Sequence, residues 1–89
     1  MSDFNNSQLA ITNLDFKVTA EDLMVAFQTF GEITECRMVV NERNESRCYG
    51  FVSFKSRRSA IRAKENLNGT KMYGREIVVN FSENKLKGY

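Results

Sequence analysis

The chain has 89 residues, room for one compact domain, and its hydrophobic fraction of 42% suffices for a single core. Thirteen Lys and Arg against eleven Asp and Glu leave a net charge of +2, a mild basicity that selects no partner class by itself. With no histidine in the chain and no Cys-x-x-Cys spacing, zinc sites and His-based acid–base chemistry are excluded. Cys36 and Cys48 are expected as reduced thiols of an intracellular protein. No apolar run approaches the roughly 18 residues of a membrane span. The start, MSDFNNSQ, lacks the basic-then-apolar layout of a signal peptide. A soluble domain of the nucleus, the cytoplasm or both is the expectation.

Residues 1–7 are polar and are expected to form a flexible lead-in, ahead of a domain over 8–82. Leu9, Ile11 and Asn13 alternate with Ala10, Thr12 and Leu14, the period of a strand. Thr19 then stands where a helix N-cap would, with Asp22 at capping-box spacing and Glu21 adding charge to the first turn. Leu23, Phe27 and Phe30 repeat at helical spacing until Gly31. From Ile33 to Val40 a second strand has Ile33, Cys36 and Met38 for a core, and Glu35, Arg37 and Val39 for the other side. Asn41 to Ser46 is a polar hairpin loop, and Arg47 to Phe54 is a third strand. Ser56 caps a second helix whose Ala60, Ala63 and Leu67 form one apolar stripe, interrupted by Lys64 and ended at Asn68-Gly69. After a turn at Tyr73-Gly74, Ile77, Val79 and Phe81 alternate with Val78, Asn80 and Ser82 in a last strand. Residues 83–89 are a polar tail.

The order strand, helix, strand, strand, helix, strand fits a ferredoxin-like βαββαβ α+β sandwich, a four-stranded antiparallel sheet with two helices on one face. The other sheet face is then open to water. If Gly50, Val52 and Phe54 pack against the helices, Tyr49 and Phe51 stand on that open face. Exposed flat rings on a central strand are platforms for nucleobases, worth about 1–3 kcal/mol per stacked base. Arg47 on the same strand and Arg37 on the preceding one share their parity and are placed to neutralise phosphates.

These residues carry a resemblance. Arg47 to Phe54, RCYGFVSF, resembles the octamer of the RNA recognition motif family, agreeing at seven of its eight positions with Cys48 in place of glycine. Leu9 to Leu14, LAITNL, resembles the hexamer of the family's first strand. Phe30-Gly31, Leu67 to Gly69 and Gly74-Arg75 are lesser matches, and the likeness covers residues 8–82 or so. It implies capture of about two to four splayed nucleotides of single-stranded RNA, with no cofactor, in mRNA processing or other post-transcriptional regulation. It implies stacking on Tyr49 and Phe51 and an ion pair from Arg47 to the backbone between bound nucleotides. Asn80 and Ser82 would bond base edges, Arg43 would reach out from the hairpin loop, and Lys85 and Lys87 would close over the RNA.

Two positions depart from the family pattern. Ala10 stands where the hexamer has an aromatic residue. Losing that platform removes about 1–3 kcal/mol, so micromolar binding is expected unless Phe4 or Tyr89 substitutes. Cys48 is expected to face the core as a small apolar group. The cations Lys55, Arg57, Arg58, Arg62 and Lys64 surround the second helix and read as a solvated face. Glu35 and Glu76 would flank the site and repel phosphate locally.

Two further readings remain open. Some members of this fold bind protein through their helices or sheet, and acidic Glu21 and Asp22 suit that role. Single-stranded DNA would fit the same stacking face in vitro. Catalysis is not expected: Asn13 to Val18 supplies no Gly-rich anion loop ahead of the first helix, and the sequence shows no triad, metal cluster or carboxylate dyad. Neither a membrane association nor a stable oligomer is expected.

Overall fold

The computed structural model describes residues 7–82. Its elements run β1 (Gln8–Thr12), α1 (Ala20–Phe27) with one 3₁₀ turn (Gln28–Phe30), β2 (Ile33–Val40), β3 (Ser46–Phe54), α2 (Arg57–Leu67), β4 (Lys71–Met72), β5 (Arg75–Glu76) and β6 (Val78–Phe81). The main sheet is antiparallel in the order β2-β3-β1-β6. This is the expected ferredoxin-like α+β arrangement, with one addition. The turn before the last strand is itself a small hairpin, β4 with β5, closed by Tyr73 at φ 55° and Gly74 at φ 79°. Two successive left-handed residues are what a tight two-residue hairpin requires.

Both helices start as their sequences dictate. Thr19 accepts from the Asp22 N–H at 3.1 Å, while the Asp22 carboxylate accepts from the Thr19 N–H at 3.0 Å, a full capping box. Ser56 caps α2 by accepting from the Ser59 N–H at 3.1 Å. The 3₁₀ turn ends at Gly31, where an added Cβ would collide with the Ser59 side chain, so only glycine lets the two helical segments approach there.

One continuous core joins the helices to one sheet face: Leu9, Ile11, Val52, Phe54 and Val79 from the strands, Leu23 and Phe27 from α1, Ala60 and Ala63 from α2. Each fully buried large side chain contributes about 1.5–3 kcal/mol. Leu14 also lies in this core, against the parity expected of it. The strand ends at Thr12, and Asn13 at φ 61° turns the chain so that Leu14 points inward. A second irregularity explains the spacing of Ile33, Cys36 and Met38. Ile33 pairs Phe54 but Glu35 pairs Ser53, so one extra residue on β2 restores the inward parity at Cys36.

Candidate nucleic-acid interface

On the face that the helices leave uncovered, the register of the four strands builds one cross-strand row. Arg37 pairs Phe51, Phe51 pairs Ala10, and Ala10 pairs Asn80. Three strand spacings make this row about 14 Å long, the span of a few extended nucleotides. Ala10 is the gap in it, a small half-buried side chain between an aromatic ring and an exposed Asn80. The Phe51 ring sits lower than expected, only 7% exposed. Its neighbours cover it: Tyr49 lies edge-on with ring centroids 6.0 Å apart, and the Arg37 guanidinium stands 4.6 Å from the ring centroid. Arg37 is further bound by Glu35, its Nε donating to Oε2 at 2.9 Å.

Beyond Tyr49 the row opens into a cleft of about 490 Å³, lined by Asn13, Phe16, Arg47, Cys48, Tyr49 and Arg75 among others. Phe16 stands at the tip of the β1–α1 loop, 70% exposed. A tight turn presents it: Asp15 accepts from the Lys17 N–H through its carboxylate at 2.8 Å and from the Val18 N–H through its carbonyl at 3.0 Å. Arg75 reaches from β5 to the same loop, donating from Nε to Asn13 O at 3.2 Å and from Nη2 to Asn13 Oδ1 at 3.1 Å. The Asn13 amide in turn donates to Glu76 O at 2.7 Å. The cleft therefore has two aromatic walls, two guanidinium groups and a hydrogen-bonded floor. Such a site suits a planar, polar ring attached to an anionic chain.

Arg47 is exposed and borders both this cleft and a polar one of about 320 Å³ formed with Asn41, Glu42 and Arg43 of the hairpin loop. That loop is closed on itself, Asn41 Oδ1 accepting from the N–H groups of Arg43 and Glu45 at 2.9 Å each. Arg43 is thus held on a defined turn beside Arg47. Ser82, expected to be exposed on the open face, is buried instead. It follows β6, only 5% exposed, and its hydroxyl has no hydrogen-bond partner among the described residues. Its N–H donates to Gln8 O at 2.9 Å, which continues the main-chain pairing with β1 one residue past β6. Lys85 and Lys87, with Phe4 and Tyr89, lie outside the described residues.

The RNA recognition motif family matches this chain over residues 9–78. The chain belongs to that family. It is 42% identical over 73 residues to the zebrafish (Danio rerio) RNA binding protein fox-1 homolog 1-like, covering 82% of this chain and 19% of that protein. It is 41% identical over 73 residues to human (Homo sapiens) RNA binding protein fox-1 homolog 3, covering 82% of this chain and 23% of that one. The chain thus spans about a fifth of the length of these relatives. Among solved structures, the second such domain of yeast poly(U)-binding protein superposes with a TM-score of 0.78 at 30% identity, over 84% of this chain and 92% of that one.

In an RNA recognition motif the second octamer position is usually glycine, and the backbone here shows why. Cys48 adopts φ 66°, a left-handed conformation costing a residue with a Cβ about 1–2 kcal/mol. Three residues, Arg47 to Tyr49, lie between the pairs Val40–Ser46 and Met38–Gly50, opposite one residue of β2. Cys48 is therefore the apex of a bulge on the cleft wall, not the core-facing group expected of it. Its N–H is satisfied by Ser46 Oγ at 2.9 Å and its carbonyl by the Leu14 N–H at 3.1 Å, which ties the bulge to the end of β1. Strand and helix periodicity assign no role to Phe16, and Arg75 enters only through its Gly74-Arg75 match to the family. The signal was an aromatic residue inside the polar turn Asp15-Phe16-Lys17 between a strand and a helix, where no core can use it.

Proposed function

We propose that this domain binds single-stranded RNA across the open sheet face, in post-transcriptional processing or regulation within the nucleus or cytoplasm. The observation that carries the reading is the continuity of the Arg37–Phe51–Ala10–Asn80 row with the Tyr49 cleft. One base stacks against Tyr49 and Phe16, a second over Phe51, and Arg47 meets the phosphate between them. Asn80 hydrogen-bonds a base edge beside Ala10, where a small side chain leaves room but no platform. Affinity is accordingly micromolar. The role is binding, performed by a monomer without a cofactor. The relatives named as RNA-binding proteins support this reading, and the yeast neighbour's poly(U) binding makes uridine runs the first ligand to test.

A protein partner on the helical side is the second reading. One feature favours it: an apolar groove of about 260 Å³ between α1 and the β4–β5 hairpin, lined by Val25, Ala26, Met72 and Tyr73. It leaves Tyr49, Phe16 and Arg47 without a task, and so ranks below RNA.

Titration of ¹⁵N-labelled domain with short U-rich, A-rich, G-rich and mixed RNAs tests the proposal. Amide shifts concentrated at Phe16, Arg47 to Phe51, Arg75 and Asn80 are expected, with a log–log salt slope shallower than about −4 because the cations are few. Shifts confined to α1 and β4–β5, or none at millimolar RNA, would overturn it.

A further inference from the structure

The ring of Phe51 is already occupied. Arg37 is its direct register partner on β2, and the guanidinium carbon lies 4.6 Å from the ring centroid, a cation–π contact. The same guanidinium is latched by Glu35, with Nε donating to Oε2 at 2.9 Å. Glu35 pairs Ser53 just as Arg37 pairs Phe51, so both rise from the open face as immediate neighbours on one strand. Both side chains are about half exposed. Latch and cap are therefore held loosely by solvent-screened forces, over a ring that is itself well seated.

We propose that Arg37 is a specificity-determining residue: it caps Phe51 in the free domain, yields that position to an incoming base, and then reads the base edge, favouring guanine. This rests on the RNA-binding reading of the same face. A base that stacks on the covered side of Phe51 takes the place the guanidinium now holds. The Arg37 backbone is fixed in the β2–β3 ladder. Its displaced side chain consequently comes to rest at the rim of the ring, level with the base. A planar fork in that position matches the two adjacent acceptors O6 and N7 of guanine, the pairing arginine makes most often with any base. Adenine puts an amino donor beside N7. Cytosine has adjacent acceptors in N3 and O2, but its smaller ring covers less of Phe51. Uracil has one ring face of the same small size and no adjacent acceptor pair. Glu35 sets how readily the cap opens, since its charge holds Arg37 back from every RNA alike.

The cap is read first in the free protein, without any variant. Cross-relaxation between the Arg37 side-chain protons and the Phe51 ring, and ring-current shifts at Arg37 Nε–H, are expected and should vanish on RNA addition. Next come four seven-nucleotide uridine RNAs carrying G, A, C or U at the centre. Each is titrated with wild type, Arg37→Ala and Glu35→Gln, their folds checked by amide spectra. Wild type should favour the G-centred RNA by about tenfold. Arg37→Ala should erase that preference, its loss of affinity falling on the G-centred RNA far more than on the other three. Glu35→Gln should tighten all four by about two- to fivefold, the modest worth of an exposed ion pair. Equal weakening of all four by Arg37→Ala would make Arg37 a phosphate contact and overturn the proposal. So would a retained guanine preference in that variant, or a wild-type preference for another base. If Tyr49→Ala abolishes binding while Arg37→Ala changes nothing, the RNA-binding reading stands and only the role of Arg37 falls. If wild type binds none of the four, both fall together.

Discussion

The two faces of β3 obey different rules. On one, Gly50, Val52 and Phe54 are buried in the closed core against the helices. On the other, Tyr49 and Phe51 meet edge to face with an arginine above them and a cleft beside them. The core face is complete in itself, every side chain answered by another. The open face is built of groups that answer one another only in part: Tyr49 edge-on to Phe51, a half-exposed Arg37 above that ring, and exposed Phe16 and Arg47 at the cleft. Packing decides the first face; the second is left for the proposed ligand. Substitutions should therefore separate into those that unfold the domain and those that only blunt it.

Phe27→Ala tests the closed side most severely. Its ring is fully buried, and truncation should remove about 3–5 kcal/mol, much of the stability of a domain this small. Urea unfolding followed by circular dichroism would show it; a well-folded variant would mean the core is less tightly closed than described. Tyr49→Ala is the counterpart on the open side. RNA affinity should fall by about ten- to hundredfold, the worth of one stacked base, while the melting temperature stays close to wild type. Loss of the fold instead would make Tyr49 a structural residue and erase the contrast between the faces.

Cys48→Gly probes the border between them. Removing the Cβ from a left-handed residue should stabilise the domain by about 1 kcal/mol, after allowance for the added freedom of glycine in the unfolded chain. A rise of about 4–8 °C in melting temperature is the corresponding readout. No rise would mean the Cys48 side chain contributes to the cleft wall as much as its backbone strain costs.

The smallest effect is expected at the α1 cap. Backbone hydrogen bonding to the Thr19 N–H holds the Asp22 carboxyl below its ordinary value of 3.8, helped by the Tyr73 hydroxyl donating at 3.1 Å and by Thr19. A depressed carboxyl pKa stabilises the fold above the ordinary value and stops doing so as pH falls through the lower folded one. The stability difference between wild type and Asp22→Asn should thus be constant at neutral pH and shrink below about pH 4. The same contact raises the Tyr73 hydroxyl above its ordinary value of 10.0, because its proton is held by the Asp22 carboxylate. A stability difference that does not change with acidity would remove Asp22 from the capping role.

Much of this was legible in the chain itself. Period-two and helical spacing, Thr19 and Asp22, Ser56, and the turn at Tyr73-Gly74 located every main element, because each is a local rule with a local cause. The octamer RCYGFVSF similarly pointed to the open face. Parity failed where the backbone leaves a regular strand. Asn13 and Cys48 take left-handed conformations, so Leu14 joins the core and Cys48 the cleft. Alternation cannot anticipate this, since it assumes that every residue continues the same pleat.

By itself the sequence determined the fold class, the core stripe of each helix, and which strand carries the aromatic pair. Those follow from residues close together in the chain. Only the tertiary structure decided that Arg37 covers Phe51, that Phe16 and Arg75 complete the cleft with Tyr49, and that Ser82 is buried. Each depends on strand register and loop placement between residues far apart in sequence, and no local pattern carries that information.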